Sequence, residues 1–231
     1  MEKYLQKNKE YWDKGYPAEN VEEWVFRFYG RILKHEYGLD GKKHNKLLDF
    51  GCGQGTTLKF FKDKGFDVYG VDISKTDIDV AKKKMPDIKS HLKVIDSKPT
   101  EDMDYFNGVK FDVITGIQSL YYFNDTDLEV LTKALNKMLN PGGIVYFTMM
   151  GKESKMFWDN AKFVSDGLYN VNFKYPRISA KNYYMSFIHS KKDLINKFKI
   201  FEKKHVGFYM QQYREEEPIT QHHTFVGKKK D

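Results

Sequence analysis

Apolar residues near the start of the chain recur at helical spacing. Between residues 21 and 33 they predict one helix with a single apolar face, formed by Val21, Trp24, Val25, Phe28, Tyr29, Ile32 and Leu33. The residues before this stretch also favour helix, and Gly38 and Gly41 end the segment. We therefore expect residues 1–44 to form a helical cap on the rest of the protein.

From Lys46 onward, short apolar runs alternate with amphipathic stretches. The runs predict five strands, at residues 47–50, 67–71, 91–95, 111–115 and 144–148. Helices are predicted between them, from Thr56 to Lys64, from a cap at Ser74 to about Lys84, and over the apolar positions from 128 to 139. Asn140-Pro141-Gly142-Gly143 should stop the last of these helices. This alternation is typical of a parallel sheet with helices on both faces.

The pattern changes after Met150. Residues 151–189 are rich in aromatic residues and Asn and show no repeat of strand and helix. Ser190 caps a predicted short helix, and segments 204–212 and 220–227 predict two long antiparallel strands. We predict an α/β fold, a doubly wound and mostly parallel seven-stranded sheet of Rossmann-like type with an antiparallel C-terminal strand pair and N-terminal helices.

Composition narrows the kind of protein. The 231 residues include one cysteine, so an internal disulfide is excluded, and the seven His form no Cys/His pattern of the zinc type. The sequence contains no run of about 18 apolar residues and no apolar segment of the signal-peptide kind at its start. These features predict a cytoplasmic protein without a membrane partner.

The net charge of +7 is unevenly distributed. Residues 1–150 carry 23 basic and 23 acidic side chains, so the whole excess lies in residues 151–231. Of the 39 basic residues only four are Arg, the residue that base readout and phosphate clamps favour. A Lys-rich excess of this kind is also typical of an ordinary solvated surface.

Three glycines follow the first predicted strand, in the segment Asp49-Phe50-Gly51-Cys52-Gly53-Gln54-Gly55. Glycine permits positive φ and lets a ligand approach the backbone. A doubly wound sheet would bring Asp72, at the end of the second strand, beside this loop, where a carboxylate can bind ribose hydroxyls. The spacing differs from G-x-G-x-x-G, and Asp49 would repel a pyrophosphate, which disfavours a NAD-dependent dehydrogenase. A ribose ligand with a cationic amino-acid end, such as S-adenosylmethionine (SAM), fits better.

Residues 45–150 resemble the catalytic core of class I SAM-dependent methyltransferases, and the small-molecule enzymes of ubiquinone biosynthesis are the most similar subgroup. The matching segments run in order: the glycine loop, Asp72-Ile73-Ser74, Asp96-Ser97, Phe111–Ile114 and Leu139–Gly143. The resemblance implies SAM as cofactor and S-adenosylhomocysteine (SAH) as product. It also implies a cofactor site made of Asp49, Gly51, Cys52, Gly53, Gly55, Asp72, Ile73, Asp96, Ser97, Gly116 and Gln118. Cys52 is expected to be a buried filler rather than a nucleophile.

By the same resemblance the chain is one methyltransferase domain. Residues 1–44 would be its cap, 45–150 the SAM-binding core, 151–189 an insertion on the acceptor side, and 190–231 the last helix and two strands. In many of these enzymes a His lies in the loop after the fourth strand, where this chain has Tyr121-Tyr122.

The acceptor pocket should be formed outside the core, by segments rich in aromatic residues. Aromatic side chains with polar tips suit a closed pocket, although ordinary packing explains any single one of them equally well. The candidate substrate-binding residues are Tyr11, Trp12, Tyr121, Tyr122, Tyr184 and Tyr209. The candidate catalytic residues are His222, His223 and Tyr122, and the two His rings should point to opposite faces of one strand.

The sequence argues against a metal and against a nucleic-acid partner. Asp159-Asn160 follows the fifth predicted strand too loosely to match the metal ligands of catechol-type enzymes. No proline is followed by another proline, and Cys52 follows Gly51, so the Pro-Pro-Tyr and Pro-Cys motifs of DNA methyltransferases are missing.

Because the basic excess lies in the part that should select the acceptor, we predict a small anionic acceptor. Phosphorylated, phosphoramidate-bearing, nucleotide-linked and carboxylated compounds all fit, methylated on oxygen or nitrogen, with bacterial surface-polysaccharide biosynthesis as one context. We expect a monomer or a homodimer. Two alternatives stay open: a nucleic-acid or protein methyltransferase that uses the basic C-terminal region, and a non-catalytic SAM-binding partner subunit.

Overall fold

Two sheets form the framework of the protein. The structure, a computed structural model, describes residues 2–15, 20–174, 179–212, 214–215 and 218–230. The strands are β1 (Lys46–Phe50), β2 (Asp67–Asp72), β3 (Leu92–Val94), β4 (Phe111–Gly116), β5 (Leu139–Met150), β6 (Ala161–Ser165), β7 (Leu168–Lys174), β8 (Ser179–Ser186), β9 (Phe201–Gln211) and β10 (Thr220–Lys229).

Helices connect most of these strands. They are α1 (Glu2–Trp12), α2 (Glu23–Arg27), α3 (Thr56–Asp63), α4 (Lys75–Lys84), α5 (Asp125–Met138), α6 (Lys155–Trp158) and α7 (Lys191–Lys197). A π-helix, Phe28–Lys34, continues α2, and short 3-10 turns occupy Pro86–His91 and Leu120–Tyr122. The Ser74 and Ser190 side chains accept hydrogen bonds from the backbone at the starts of α4 and α7, as predicted from the capping pattern.

The large sheet has the strand order β3-β2-β1-β4-β5-β10-β9. The first five strands pair in parallel, whereas β10 pairs with both of its neighbours in antiparallel orientation. The predicted architecture is therefore confirmed. The chain leaves β1 toward one edge of the sheet and leaves β4 toward the other, so a crevice opens at their carboxyl ends, where doubly wound sheets bind ligands.

Successive side chains of a strand point to opposite faces, and each face has its own core. Leu47 packs on the face covered by α3, α4 and the buried residues of the α2 segment, Val25 and Phe28. Leu48 packs on the face covered by α1, α5 and the small sheet. The N-terminal residues that were expected to form one helical cap thus pack on both faces of the sheet.

Two sequence predictions differ in detail from the structure. The helix expected over residues 21–33 begins at Glu23 and widens into the π-helix, although Val25, Phe28 and Leu33 of its apolar face are buried as expected. Asn140–Gly143 ends α5 as predicted but belongs to β5. Phe111 of β4 pairs with Leu139 and Val113 pairs with Ile144, so residues 140–143 form a bulge within β5 instead of a separate turn.

Residues 151–189 show no repeat of strand and helix, as expected, but they contain strands that were not predicted from the sequence. Strands β6, β7 and β8 form an antiparallel sheet there, and α6 precedes it. The pairing shifts register between Val171 and Phe173, and Asn182 has φ = 56°. A bulge of this kind interrupts the alternation of buried and exposed positions from which a strand is recognised.

No helix in the described part of the chain is both long and apolar enough to cross a bilayer.

Candidate active site

The glycine loop is packed tightly against its neighbours at both ends and is open in the middle. A Cβ on Gly51 (φ = 78°) would lie 2.4 Å from Ser119 Cβ, and one on Gly55 (φ = 80°) would lie 2.5 Å from Met85 Cε. Gly53 also has a positive φ, 51°, but none of the described atoms lies within 4 Å of the Cβ position. The loop therefore presents its backbone to open space at Gly53.

Asp72 joins this loop to the next strand. One carboxylate oxygen accepts a hydrogen bond from the Gly53 backbone N–H and the other from the Ser74 backbone N–H, both at 2.8 Å. Burial raises the pKa of Asp72, while these two hydrogen bonds act in the opposite direction. A carboxylate oxygen can accept more than one hydrogen bond, so Asp72 can still bind ligand hydroxyls while the loop holds it in place.

Asp49 supplies a second carboxyl group, buried beneath the loop. Its side chain accepts a hydrogen bond from Thr115 Oγ1 at 2.7 Å, and the residue is only 2% exposed. Burial raises the pKa of Asp49 to about 7, and the nearby charge of Asp72 adds to this rise. A cation placed beside the two carboxyl groups would favour the ionised form of Asp49.

The remaining residues around the crevice differ in exposure. Cys52 is buried, and a Cβ on Gly70 of β2 would lie 2.8 Å from its sulfur, so Cys52 fills space as predicted. Burial raises the pKa of its thiol, which disfavours the nucleophilic thiolate. Ile73 is half-buried at the end of β2.

The segment after β3 continues this edge of the sheet. The backbone N–H of Ile95 donates to the Asp72 carbonyl at 2.9 Å, which places Asp96 just beyond the end of β2. Asp96 is exposed, and Ser97 lies in a shallow groove beside Lys3 and Gln6 of α1.

Gly116 and Gln118 lie at the carboxyl end of β4. A Cβ on Gly116 would lie 3.0 Å from the side chain of Leu120, so the strand end is tightly packed. Gln118 has φ = 53°, and its backbone N–H donates to Thr148 Oγ1 at 2.7 Å. Its side-chain amide donates to the Tyr209 hydroxyl at 3.4 Å. Gln118 therefore links the predicted cofactor side of the crevice to β9.

The end of α1 reaches the start of α4 beside the glycine loop. The Asp13 carboxylate accepts a hydrogen bond from the Lys75 backbone N–H at 3.1 Å. A Cβ on Gly15 would lie 3.3 Å from Thr76 and 3.9 Å from the amide nitrogen of Gln54. The N-terminal segment therefore covers one side of the crevice.

Beyond the crevice, eight rings from six parts of the chain form what we call the aromatic cluster. Neighbouring ring centroids are 3.8 to 6.3 Å apart. The members are Tyr11, Trp12, Trp24, Tyr121, Tyr122, Tyr183, Tyr209 and His222. Five of the six predicted substrate-binding residues belong to it.

One end of the aromatic cluster is a stack of three rings. Trp24 lies on Tyr209 at 3.8 Å, and Tyr209 lies on His222 at 5.0 Å, in both cases nearly parallel. His222 is 5% exposed, and burial lowers its pKa to about 3, with a smaller contribution from His223. The His222 imidazole is therefore neutral at physiological pH.

The other end of the aromatic cluster carries a row of hydroxyl groups. The Tyr183 hydroxyl donates a short hydrogen bond to that of Tyr122, which donates to that of Tyr121 at 3.2 Å. The Tyr121 ring centroid lies 5.9 Å from that of His222. Burial raises the pKa of Tyr122, so its hydroxyl stays protonated.

Two of the sequence candidates lie outside the aromatic cluster. Tyr184 points away from it, with its ring 6.4 Å from that of Tyr4, and Tyr183 takes its place. His223 lies on the opposite face of β10 from His222, as predicted, and its imidazole is 3.7 Å from the Glu153 carboxylate. The structure therefore places His222 and Tyr122, but not His223, in the aromatic cluster.

Tyr183 and Trp24 were missed by the sequence analysis, although a signal existed for both. Tyr183 alternates along the strand with Met185 and Phe187, so the three side chains share the buried face. The preceding residues, Lys181 and Asn182, are both exposed and do not indicate which face of β8 is buried. Trp24 belongs to the apolar face of the predicted helix. Its contact with Tyr209 depends on tertiary packing and could not be read from spacing.

Four lysines of the basic segment 151–231 lie away from the aromatic cluster. The register of β10 places His222 beside Met150, at the carboxyl end of β5, and Lys228 beside Ile144, near its start. Six residues of strand at ~3.4 Å each separate the two by about 20 Å. Lys203, Lys204 and Lys229 lie at the same end of the β9–β10 pair as Lys228. Lys204 pairs there with Glu202, and Lys229 donates to the Leu139 carbonyl.

In the part of the chain that the structure describes, no group of three or more His, Cys, Asp or Glu side chains is arranged to hold a metal ion. Asp159 and Asn160 are both exposed.

Comparisons with known proteins agree with this geometry. The family model for the methyltransferase domain matches residues 21–200. The ubiquinone biosynthesis O-methyltransferase of Pelagibacter ubique is 29% identical over 166 residues, which are 68% of this chain and 66% of that enzyme. The chain thus spans less than two thirds of the length of this relative, and about half of a second enzyme of the same name from Aliivibrio fischeri.

Solved structures share the fold at low sequence identity. A SAM-dependent methyltransferase from Methanosarcina mazei has a TM-score of 0.64 at 15% identity, covering 91% of this chain and 99% of that one. The 1,6-didemethyltoxoflavin-N1-methyltransferase of Burkholderia thailandensis, with its acceptor and SAH bound, has a TM-score of 0.61 at 14% identity and covers 91% and 80%. The family model and the shared fold lead to one conclusion: this chain belongs to the family of methyltransferase domains.

Proposed function

We propose that this protein transfers a methyl group from SAM to an oxygen atom of a small molecule. The observation that carries the proposal is the arrangement at Asp72, whose two carboxylate oxygens are held by the Gly53 and Ser74 amides next to the open side of the glycine loop. The family membership of the chain supports the reaction class, and the relatives named O-methyltransferases support oxygen as the accepting atom.

The described residues fit SAM. Asp72 would accept hydrogen bonds from the ribose hydroxyls, and the open backbone at Gly53 leaves room for the ribose and methionine portions. Ile73 and Asp96, at the ends of β2 and β3, would contact the adenine, while Gln118 would lie along the methionine portion. The buried carboxyl groups of Asp49 and Asp72 favour a cationic ligand over a phosphate-bearing one. When bound, SAM supplies an electrophilic methyl group on a sulfonium centre.

The protein's own contribution is mainly to position the acceptor. Methyl transfer is an in-line displacement, so holding the accepting atom against the methyl group lowers the barrier without further chemistry. The aromatic cluster lies next to Gln118 through Tyr209, at 3.4 Å, and would form the acceptor wall. The acceptor's proton would leave to solvent as the new bond to the methyl carbon forms and the bond from carbon to sulfur breaks.

The geometry favours a different acceptor charge from the one predicted from the sequence. An anionic acceptor was predicted because the basic excess lies in residues 151–231. The lysines near the ends of β9 and β10 lie about 20 Å from His222 by strand length. The eight side chains of the aromatic cluster carry no formal charge at neutral pH. We therefore propose an uncharged acceptor, and we find no support in the described site for a polysaccharide intermediate.

Calorimetry with SAH tests the proposed function directly. We expect SAH to bind the purified protein with one site per chain, and SAM to be converted to SAH when fractions of a small-molecule extract are added. Absence of SAH binding would refute the proposal. Binding of SAH without turnover in any fraction would instead favour the alternative of a non-catalytic SAM-binding subunit.

A further inference from the structure

His222 stands out because it is a buried polar side chain whose hydrogen bonds are not made. The residue is 5% exposed, and neither ring nitrogen has a hydrogen-bond partner among the described residues. Buried polar groups in folded proteins are nearly always paired, and an exception calls for an explanation such as an absent ligand. The imidazole is also held firmly, since Tyr209 stacks on it and Tyr121 lies beside it.

The surroundings of His222 determine which ligand atom could satisfy it. A neutral imidazole has one N–H donor and one acceptor nitrogen. The Tyr121 hydroxyl accepts a hydrogen bond from Tyr122 and belongs to the row of hydroxyls on the neighbouring side. A ligand hydroxyl can both donate to the acceptor nitrogen and accept from a neighbouring donor, which a ketone or an ether cannot do.

The charges around the aromatic cluster also favour an uncharged acceptor. An ionised acceptor would lose its hydration among these rings without gaining a counter-ion from the aromatic cluster itself. The exposed Glu22 carboxylate acts on Tyr209 at this end of the aromatic cluster, whereas the Lys14 ammonium lies 6.0 Å from the ring centroid of Tyr11 at the other end. The low pKa of His222, about 3, means that the ring offers no positive charge to an anion.

We propose that His222 is the acceptor-recognition residue, which binds the hydroxyl group of an uncharged acceptor through an unpaired ring nitrogen within the aromatic cluster. This inference rests on the proposed function, because it assumes that the aromatic cluster is the acceptor wall. His222 orients the hydroxyl oxygen toward the cofactor. It is not a base that stores the proton, since its protonated form is unstable in this environment.

The test uses the full chain saturated with SAH at pH 7 and three small probes: phenol, benzoate and benzylammonium. We expect phenol to bind and to shift the ¹⁵N resonances of the His222 ring, and the two charged probes to bind at least tenfold more weakly. His222→Phe should lower phenol affinity at least tenfold, and His222→Gln, which keeps hydrogen-bonding atoms, should recover most of it. SAH affinity should stay unchanged in both variants.

His223→Phe is the matched control, because it changes the adjacent ring on the opposite face of β10. It should leave phenol affinity within twofold of the wild type. Equal binding of benzoate and phenol, unchanged ¹⁵N resonances on phenol addition, or the same loss in both Phe variants would overturn the inference. The resonances of the wild type and the behaviour of His222→Gln decide the question even if His222→Phe fails to fold. A protein that does not bind SAH refutes the proposed function itself, and this inference with it.

Discussion

The backbone N–H of Gly53 donates a hydrogen bond of 2.8 Å to the carboxylate of Asp72. This bond connects the loop after β1 with the end of β2, two segments separated by 19 residues in the chain. It holds the carboxylate toward the open side of the loop. Gly53 has a positive φ, a conformation that glycine adopts readily. The Asp72 carboxylate can accept several hydrogen bonds at once.

Replacing Asp72 should weaken cofactor binding. We expect Asp72→Ala to lower SAH affinity by about 1–3 kcal/mol, the usual scale for hydrogen bonds to a charged group. Isothermal titration calorimetry measures this directly. Asp63→Ala, on the surface of α3 where Asp63 pairs with Lys59, is the control and should bind SAH normally. Equal affinities for the two variants would remove Asp72 from the cofactor site.

Alanine at Gly51 and at Gly53 should have different effects. Both residues have positive φ, so each variant carries a backbone strain of ~1 kcal/mol. Gly51→Ala adds a clash with Ser119, and we expect it to lose more stability in thermal unfolding than Gly53→Ala. Gly53→Ala should instead reduce SAH affinity, because its methyl group would enter the open space. A larger loss of SAH affinity in Gly51→Ala than in Gly53→Ala would contradict the assignment of that space to the cofactor, and a larger loss of stability in Gly53→Ala would contradict the tight packing at Gly51.

Asp49 should make stability depend on pH in the direction opposite to that of a carboxylate whose pKa is lowered by folding. Its pKa rises from about 3.8 to about 7 in the folded protein, so between these values the folded state holds a proton that the unfolded state has released. The free energy of unfolding should therefore fall as pH rises from about 4 to 7, and level off above, by up to ~4 kcal/mol at 1.36 kcal/mol per unit. Urea denaturation of wild type and Asp49→Asn, compared at each pH, isolates this contribution. A constant difference between the two proteins across this range would show that Asp49 keeps an ordinary pKa.

The same group should couple SAM binding to proton release. The sulfonium and ammonium charges of SAM would favour ionised Asp49, so binding below pH 7 should release a proton and SAM affinity should increase as pH rises toward 8. Calorimetry at pH 6.5 in two buffers of different ionisation enthalpy measures the protons released. Asp49→Asn should remove the difference between the buffers, and its persistence in this variant would assign the proton to another group.

Asn8 should anchor α1 to the small sheet. Its buried side chain donates to the Tyr184 carbonyl at 2.9 Å and accepts from the Tyr184 backbone N–H at 3.1 Å. Asn8→Ala leaves both backbone groups without this partner, and we expect a loss of about 1–3 kcal/mol in urea unfolding. Gln6→Ala, two residues away on the exposed face, should change stability by less than about 0.5 kcal/mol. Similar losses in both variants would show that the hydrogen bonds of Asn8 to Tyr184 do not set the effect.

The cofactor side of the site could be predicted largely from sequence. The glycine loop, Asp72 and the segment after β3 follow strands whose order in space is set by the right-handed βαβ connection, so their meeting at one edge follows from topology. The acceptor side could not be predicted to the same extent. The choice of Tyr184 over Tyr183 depended on the register of a strand with a bulge, and one position of register reverses every side chain.

The sequence by itself determined the alternating α/β architecture, the position of the glycine loop and the pairing of the last two strands, because each is encoded in local periodicity, capping and turn residues. Only the tertiary structure decided which aromatic residues form a cluster, that His222 and not His223 faces it, and that the lysines of β9 and β10 lie at the far edge of the sheet. These properties depend on contacts between different segments of the chain, and residue spacing within one segment carries no information about them.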